Sequence, residues 1–218
     1  MSWLVPVDRR PAEIRCNTAG RTEIVASQPG HYKFARASGK IQHVEIKNVP
    51  APQEITGAWA VSFPPKWGAP GEITLDQLGS LSDSTNSGVK YFSGTATYTK
   101  VFDWKTAPGT GKGRTETWLD LGDVQVMAQV KLNGHDLGIL WKSPFAANIT
   151  GALQPGRNTL EIRVADLWPN RMIGDSMLPV AERFTWSSYE PFTKDSELPK
   201  SGLIGPVSLS TKEIADVP

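Results

Sequence analysis

Strict alternation is the feature that most limits what this chain can fold into. From Val124 to Leu132 the apolar side chains occupy every even position, with Gln125, Met127, Gln129 and Lys131 between them. An extended chain places alternate residues on one face, so this segment is a strand with one buried side. Asn133-Gly134 follows, the dipeptide best suited to the positive φ angles of a two-residue hairpin turn. Leu137, Ile139 and Leu140 then return the chain as the second strand.

The same period recurs in Leu160, Ile162 and Val164 after a Gln154-Pro155-Gly156 turn, and in Phe92, Gly94, Ala96 and Tyr98 with Ser93, Thr95, Thr97 and Thr99 opposite. Tyr32-Phe34 and Val44-Ile46 flank a Ser38-Gly39 turn, and Val207-Ser208-Leu209 gives a late short strand. No window of ten residues carries an apolar stripe of helical spacing with caps, and the best helical candidate is a turn or two between Asp76 and Leu81. Short strands joined by Gly and Pro turns, without crossover helices, predict an all-β antiparallel sandwich of jelly-roll type. A barrel of alternating strands and helices is excluded.

Pro-punctuated connectors at Asn48–Pro52 and Phe63–Gly71 place a boundary near residue 50. Residues 1–50 then form a small β appendage unable to bury a core alone, and 51–218 form the main sandwich. The single Cys16 of the 218 residues rules out an internal disulfide. With 23 Lys+Arg against 22 Asp+Glu, the chain lacks the basic excess that tracks phosphates, so nucleic acid is not an expected partner. Neither a signal peptide nor an apolar membrane-spanning run is expected.

Several fragments imitate functional motifs. Pro108–Arg114 looks like a phosphate loop but has Thr106 and Gly113 where Gly and Ser/Thr belong. Asp83–Gly88 opens like a calcium loop, yet Gly94 stands where the bidentate Glu is needed. A structural Ca²⁺ is therefore only a side expectation, no cofactor is required, and no paired-Cys or His zinc pattern exists. Asp120, Asp123, Asp136, Asp166, Asp175, Glu182, Glu190, Asp195 and Glu197 could each serve a hydrolase, but nothing sets any two at a catalytic separation, so no catalytic residue is assigned and a glycosidase or lyase acting alone is the least favoured reading.

The eight Trp are the stronger lead. An indole face offers flat apolar area to the C–H groups of a pyranose, while neighbouring polar groups bond its hydroxyls. Trp141, Trp168, Trp186 and Tyr189 lie in segments that follow strands or form loops, where stacking is possible. Lys142, Asp166, Asn170 and Arg171 are the expected hydroxyl partners. Trp59, Trp104 and Trp118 belong to strands or their edges and are assigned to the framework. The competing reading of each loop Trp is packing, within the domain or against a neighbouring one.

Three runs, Gly88–Tyr98, Val130–Gly138 and Pro155–Val164, resemble the sugar-binding jelly roll of family 2 glycoside hydrolases. Trp168–Asp175 and Lys194–Val207 are similar to the C-terminal region of the α-L-rhamnosidase-like enzymes of glycoside hydrolase family 106. The resemblance covers roughly residues 56–212 and implies a galactose-binding-like accessory module, because the catalytic carboxylates of such enzymes belong to a separate barrel. It implies a plant cell-wall polysaccharide or oligosaccharide and a parent catalytic domain as partners. It also implies that residues 1–50 are the tail of a preceding β domain and that the parent acts in the periplasm or outside the cell.

Overall fold

The computed structural model describes residues 11–105 and 114–217. The phosphate-loop lookalike lies, apart from Arg114, outside them. Within them the chain is an antiparallel β-sandwich, as the alternation predicts.

One sheet contains β6 (Trp59–Ser62), β7 (Glu72–Leu75), β8 (Gly94–Trp104), β11 (Met127–Leu132), β12 (His135–Leu140) and β14 (Gly156–Asp166), in the order β12-β11-β14-β8-β6-β7. The inward sides of β8, β11 and β14 carry their even-numbered apolar residues, and β6 adds Trp59 and Val61. Val130, Leu160, Ile162, Val164, Ala96 and Tyr98 are fully buried. At about 1.5–3 kcal/mol for each large aliphatic or aromatic side chain removed from water, this face dominates the energetics of the fold.

The facing sheet is built on β16 (Ser208–Asp216). Along one edge β16 pairs with β9 (Arg114–Asp120), which pairs in turn with β13 (Ala146–Asn148). Along the other edge it pairs with the short β5 (Gln53–Glu54) and then with β2 (Thr22–Ala26), which forms a hairpin with β1 (Ala12–Cys16). Two smaller ladders complete the structure: β3 (Gly30–Ala35) with β4 (Ile41–Ile46), and β10 (Asp123–Gln125) with β15 (Gly202–Gly205).

Strands from the first fifty residues thus stand in two places. The β1–β2 hairpin extends the sheet of β16. The β3–β4 hairpin contributes Val44 and Ile46 to a small second core with Ile24, Ala26 and Val217. The main core lies between the two large sheets.

The turns that punctuate the sequence are clamps. Asn133 and Gly134 both have positive φ, 52° and 81°, as the tight hairpin requires. Asn133 Nδ2 donates to the Ala152 carbonyl and to Asn158 Oδ1, both at 2.8 Å, and its Oδ1 accepts from Thr159 N at 2.9 Å. Asn158, only 1% exposed, also accepts from Gln154 N and donates to the carbonyls of Gln154 and Gly156. The Asn-Gly and Pro-Gly-x-Asn motifs therefore lock neighbouring turns together, and their side chains are consumed in doing so.

The expected turn of helix between Asp76 and Leu81 is replaced by irregular chain, with a short 3-10 turn at Leu81–Asp83. Ser201 N donates to Ser80 Oγ at 3.0 Å and Leu81 N donates to the Ser201 carbonyl, so this segment is held to the chain entering β15. Helices form instead at α1 (Ser87–Lys90) and α2 (Pro169–Asp175). Pro169 occupies the first turn of α2, where its fixed φ suits a helix and its missing N–H costs nothing.

Candidate functional site

The strand register gathers several of the expected residues at one end of the sandwich. Ala128 stands opposite Leu140 and Met127 opposite Ala165, so the end of β12 and the end of β14 flank the start of β11. Trp141 leaves β12 there, and Leu167 and Trp168 leave β14. Both Trp are 66% exposed, beside the exposed Met127, Ile139 and Leu167.

Trp168 is also the residue before α2, and α2 positions the next loop. Asp175 Oδ2 accepts from Thr185 N at 2.8 Å and Thr185 Oγ1 at 2.6 Å, and the Arg171 guanidinium lies 4.6 Å from the Phe184 ring centroid. Arg183 pairs with Glu190 across the loop. Trp186 and Tyr189, carried on this tethered segment, are 84% and 72% exposed. All four expected stacking residues thus face solvent.

Of their expected polar partners only Lys142 is on the surface, with its Nζ 5.4 Å from the Trp141 ring centroid. Asp166, Asn170 and Arg171 are buried. Asp166 Oδ1 accepts from Gly202 N at 2.5 Å while Oδ2 has no partner. Burial pushes this carboxyl up to about 8, against the opposing effect of the Gly202 bond. The same carboxyl helps to raise the buried Tyr98 hydroxyl, whose own desolvation is the larger cause.

Asn170 Nδ2 donates to the Pro199 carbonyl at 2.9 Å, leaving Oδ1 unpaired. Arg171 Nε lies 3.0 Å from Asp175 Oδ1, both residues nearly inaccessible, as an ion pair rather than an aligned hydrogen bond. Burial lowers the guanidinium below its ordinary value and Asp175 opposes that. Asp166 closes β14 from inside, while Asn170 and Arg171 anchor α2, and Arg171 also lines a cleft with Tyr91, Met177 and Phe184. The sequence placed them near the loops but could not show that α2 turns Asn170 and Arg171 inward or that Asp166 is covered by Gly202.

In the calcium-like loop Asn86 is spent on capping α1, its Oδ1 accepting from Val89 N at 3.2 Å. Among the described residues no three His, Cys, Asp or Glu side chains converge on one point. No helix of the described residues is long and apolar enough to cross a membrane. Of the framework Trp, Trp59 is buried, and Trp118 is half-buried with Lys212 Nζ 4.1 Å from its ring.

Two clefts went unread in the sequence. One, about 480 Å³, is lined by Glu54, Thr56, Trp59, Asp76, Gln77 and Leu78 among others. The other, about 360 Å³, shares Glu54, Ile55 and Thr56 with it and is further lined by Lys100, Asp103 and Trp104. The available signal was Lys100 itself, a cation at the position where the buried series Ala96, Tyr98 should continue.

No family model matches the chain. A rhamnosidase from Novosphingobium sp. PP1Y superimposes with a TM-score of 0.69 at 33% identity, over 88% of this chain and 21% of that one. The chain is similar to part of a glycoside hydrolase. A Formosa agariphila protein that bears the provisional name beta-glucuronidase is 37% identical over 93% of this chain, which corresponds to 19% of its own length. The beta-glucuronidase of Bifidobacterium dentium, solved with coumarin-3-O-glucuronide, shares the fold at 20% identity and a TM-score of 0.52, over 75% of this chain and 30% of its own. The chain therefore spans about a fifth of the first two relatives.

Proposed function

We propose that this chain is a non-catalytic, galactose-binding-like accessory module of a glycoside hydrolase, of the kind found in family 106 α-L-rhamnosidase-like enzymes. It binds plant cell-wall polysaccharide or oligosaccharide through its strand-end loops. Trp141, Trp168, Trp186 and Tyr189 stack on sugar faces, and Lys142 supplies a donor for hydroxyls. The observation that carries this reading is the exposure of all four aromatics at loops anchored to a rigid sandwich, where a flat ring gains most by covering an apolar sugar face. Catalysis in the parent belongs to another domain.

Affinity electrophoresis against pectic and hemicellulosic polysaccharides tests it directly. Retardation by at least one glycan, reduced by Trp141→Ala or Trp168→Ala without change of fold, is the expected result. No retardation by any of them removes the glycan-binding claim.

A second reading has its own support. Leu167, Met177 and Val180 are also exposed, and aliphatic side chains contribute little to sugar stacking. On this reading the same end of the sandwich packs against the parent's catalytic domain. Alanine at Trp141 or Trp168 then leaves glycan retardation unchanged and weakens association with that domain.

A further inference from the structure

A stacking surface without inward-pointing polar groups is half of a sugar site. The cleft beside Lys100 holds both halves. Lys100 lies on the inward side of β8, paired with the fully buried Leu160, and is itself 9% exposed. Its Nζ donates to the Ala58 carbonyl at 2.8 Å and stands 5.7 Å from the Trp59 ring centroid. Burial lowers its affinity for the proton, with no carboxylate acting on it in the opposite direction.

An ammonium has three N–H donors, and fixing the Gly57-Ala58 turn uses one. Among the described residues no hydrogen-bond acceptor meets the other two, which leaves the Trp59 ring as the remaining contact, although burying an ammonium is costly unless its donors are satisfied. They border a cleft of about 360 Å³, within the usual range of small-molecule sites. Glu54 and Asp103 are exposed residues on its lining, Thr56 adds a hydroxyl, and Trp104 adds a half-buried indole.

We propose that this cleft is a carbohydrate subsite for one neutral pyranose unit. Lys100 donates to ring or hydroxyl oxygens, Glu54 and Asp103 accept from hydroxyls, and Trp104 covers the C–H face. Neutrality follows from the lining, because a uronate carboxylate would meet two negative groups and one positive. The inference rests on the glycan-related reading above but uses none of the strand-end loops.

The test is an NMR titration of the intact chain, following backbone amides and indole N–H groups. The probes are the methyl glycosides of L-rhamnose, D-glucose and D-galactose, with D-glucuronate and acetate as anionic comparators. At least one neutral glycoside is expected to shift Thr56, Val101 and the Trp104 indole. The shifts persist in Trp141→Ala/Trp168→Ala, and the affinity falls about tenfold or more in Lys100→Met, the scale of a lost charge-assisted hydrogen bond.

Should Lys100→Met lose the native spectrum, Glu54→Gln/Asp103→Asn, altered only at exposed side chains, decides with the same expected loss. Shifts confined to the strand-end loops overturn this subsite and leave the loop reading standing. Stronger response to glucuronate or acetate overturns it in favour of an anion site. Unaltered affinity in the variants, or no shift with any neutral probe, also overturns it.

Discussion

The Asp166 carboxyl group accepts the backbone N–H of Gly202 at 2.5 Å, joining the last residue of β14 to the first of β15. This bond sits in a buried corner where Tyr98 Oη also accepts from Leu203 N at 3.1 Å. The corner links the two strands that hold α2 and the end of the chain in place.

Its titration gives the first prediction. Burial sets the folded pKa of Asp166 at about 8, above an ordinary value near 4. Between those limits the unfolded chain has released the proton and the folded chain retains it. The Asp166 contribution is therefore complete below pH ~4 and is lost as pH rises toward 8, by at most about 1.4 kcal/mol per pH unit. Urea unfolding from pH 5 to 8 should show that decline, and Asp166→Asn, which cannot ionise, should flatten it.

Gly202 gives a second. Its φ is +83°, and an added Cβ would lie 2.3 Å from Tyr98 Oη and 2.9 Å from Leu81 Cγ. Backbone strain and overpacking act together, so Gly202→Ala should destabilise by about 3 kcal/mol. Restoring space with Tyr98→Phe should recover part of that loss in a double-mutant cycle, and strict additivity of the two would refute the steric account.

The inward turn of α2 gives a third. Arg171→Met leaves the Asp175 carboxylate buried with its cation gone, a change that costs about 3–5 kcal/mol when a buried pair is broken. Trp168→Ala, three residues away on an exposed ring, should cost less than about 1 kcal/mol. Denaturant midpoints of the two variants check the contrast, and equal losses would contradict the assigned placements.

Glu23 gives a fourth. Its carboxylate receives Asn17 Nδ2 and Arg114 Nη1, both at 2.6 Å, and Arg15 Nε at 3.3 Å, joining β1, β2 and the strand beyond β16. These bonds, that from Asn17 foremost, hold its pKa below the ordinary value. A depressed pKa means support that is present above the unfolded value and lost as pH falls through the folded one. Hydrogen exchange should show the β1–β2 hairpin losing protection on acidification before the main sheet does. Glu23→Gln should show the same loss at neutral pH.

What the sequence revealed depended on how local each cause was. The β11–β12 hairpin is specified by adjacent residues, since alternation and Asn133-Gly134 suffice. β16 was visible only to Leu209, because its later inward positions carry Thr211 and Glu213, and polar residues hide the period. The exposed aromatics were correctly placed on loops, while Asp166, Asn170 and Arg171 were not legible as buried. Their burial follows from α2 and from contacts with Pro199 and Gly202, about thirty residues distant. Lys100 was overlooked for a related reason: its environment is made by β5 and the Gly57-Ala58 turn, far back in the chain.

β16 has a further consequence. It is hydrogen-bonded to β2, β5 and β9, whose residues lie between 22 and 120, so one late segment closes contacts of very long sequence separation. During translation those three strands must wait, with edges unpaired, until residues 208–216 leave the ribosome, and topologies of this kind fold slowly. A nascent chain stalled before residue 208 would carry three orphaned edges exposed to chaperones and to aggregation.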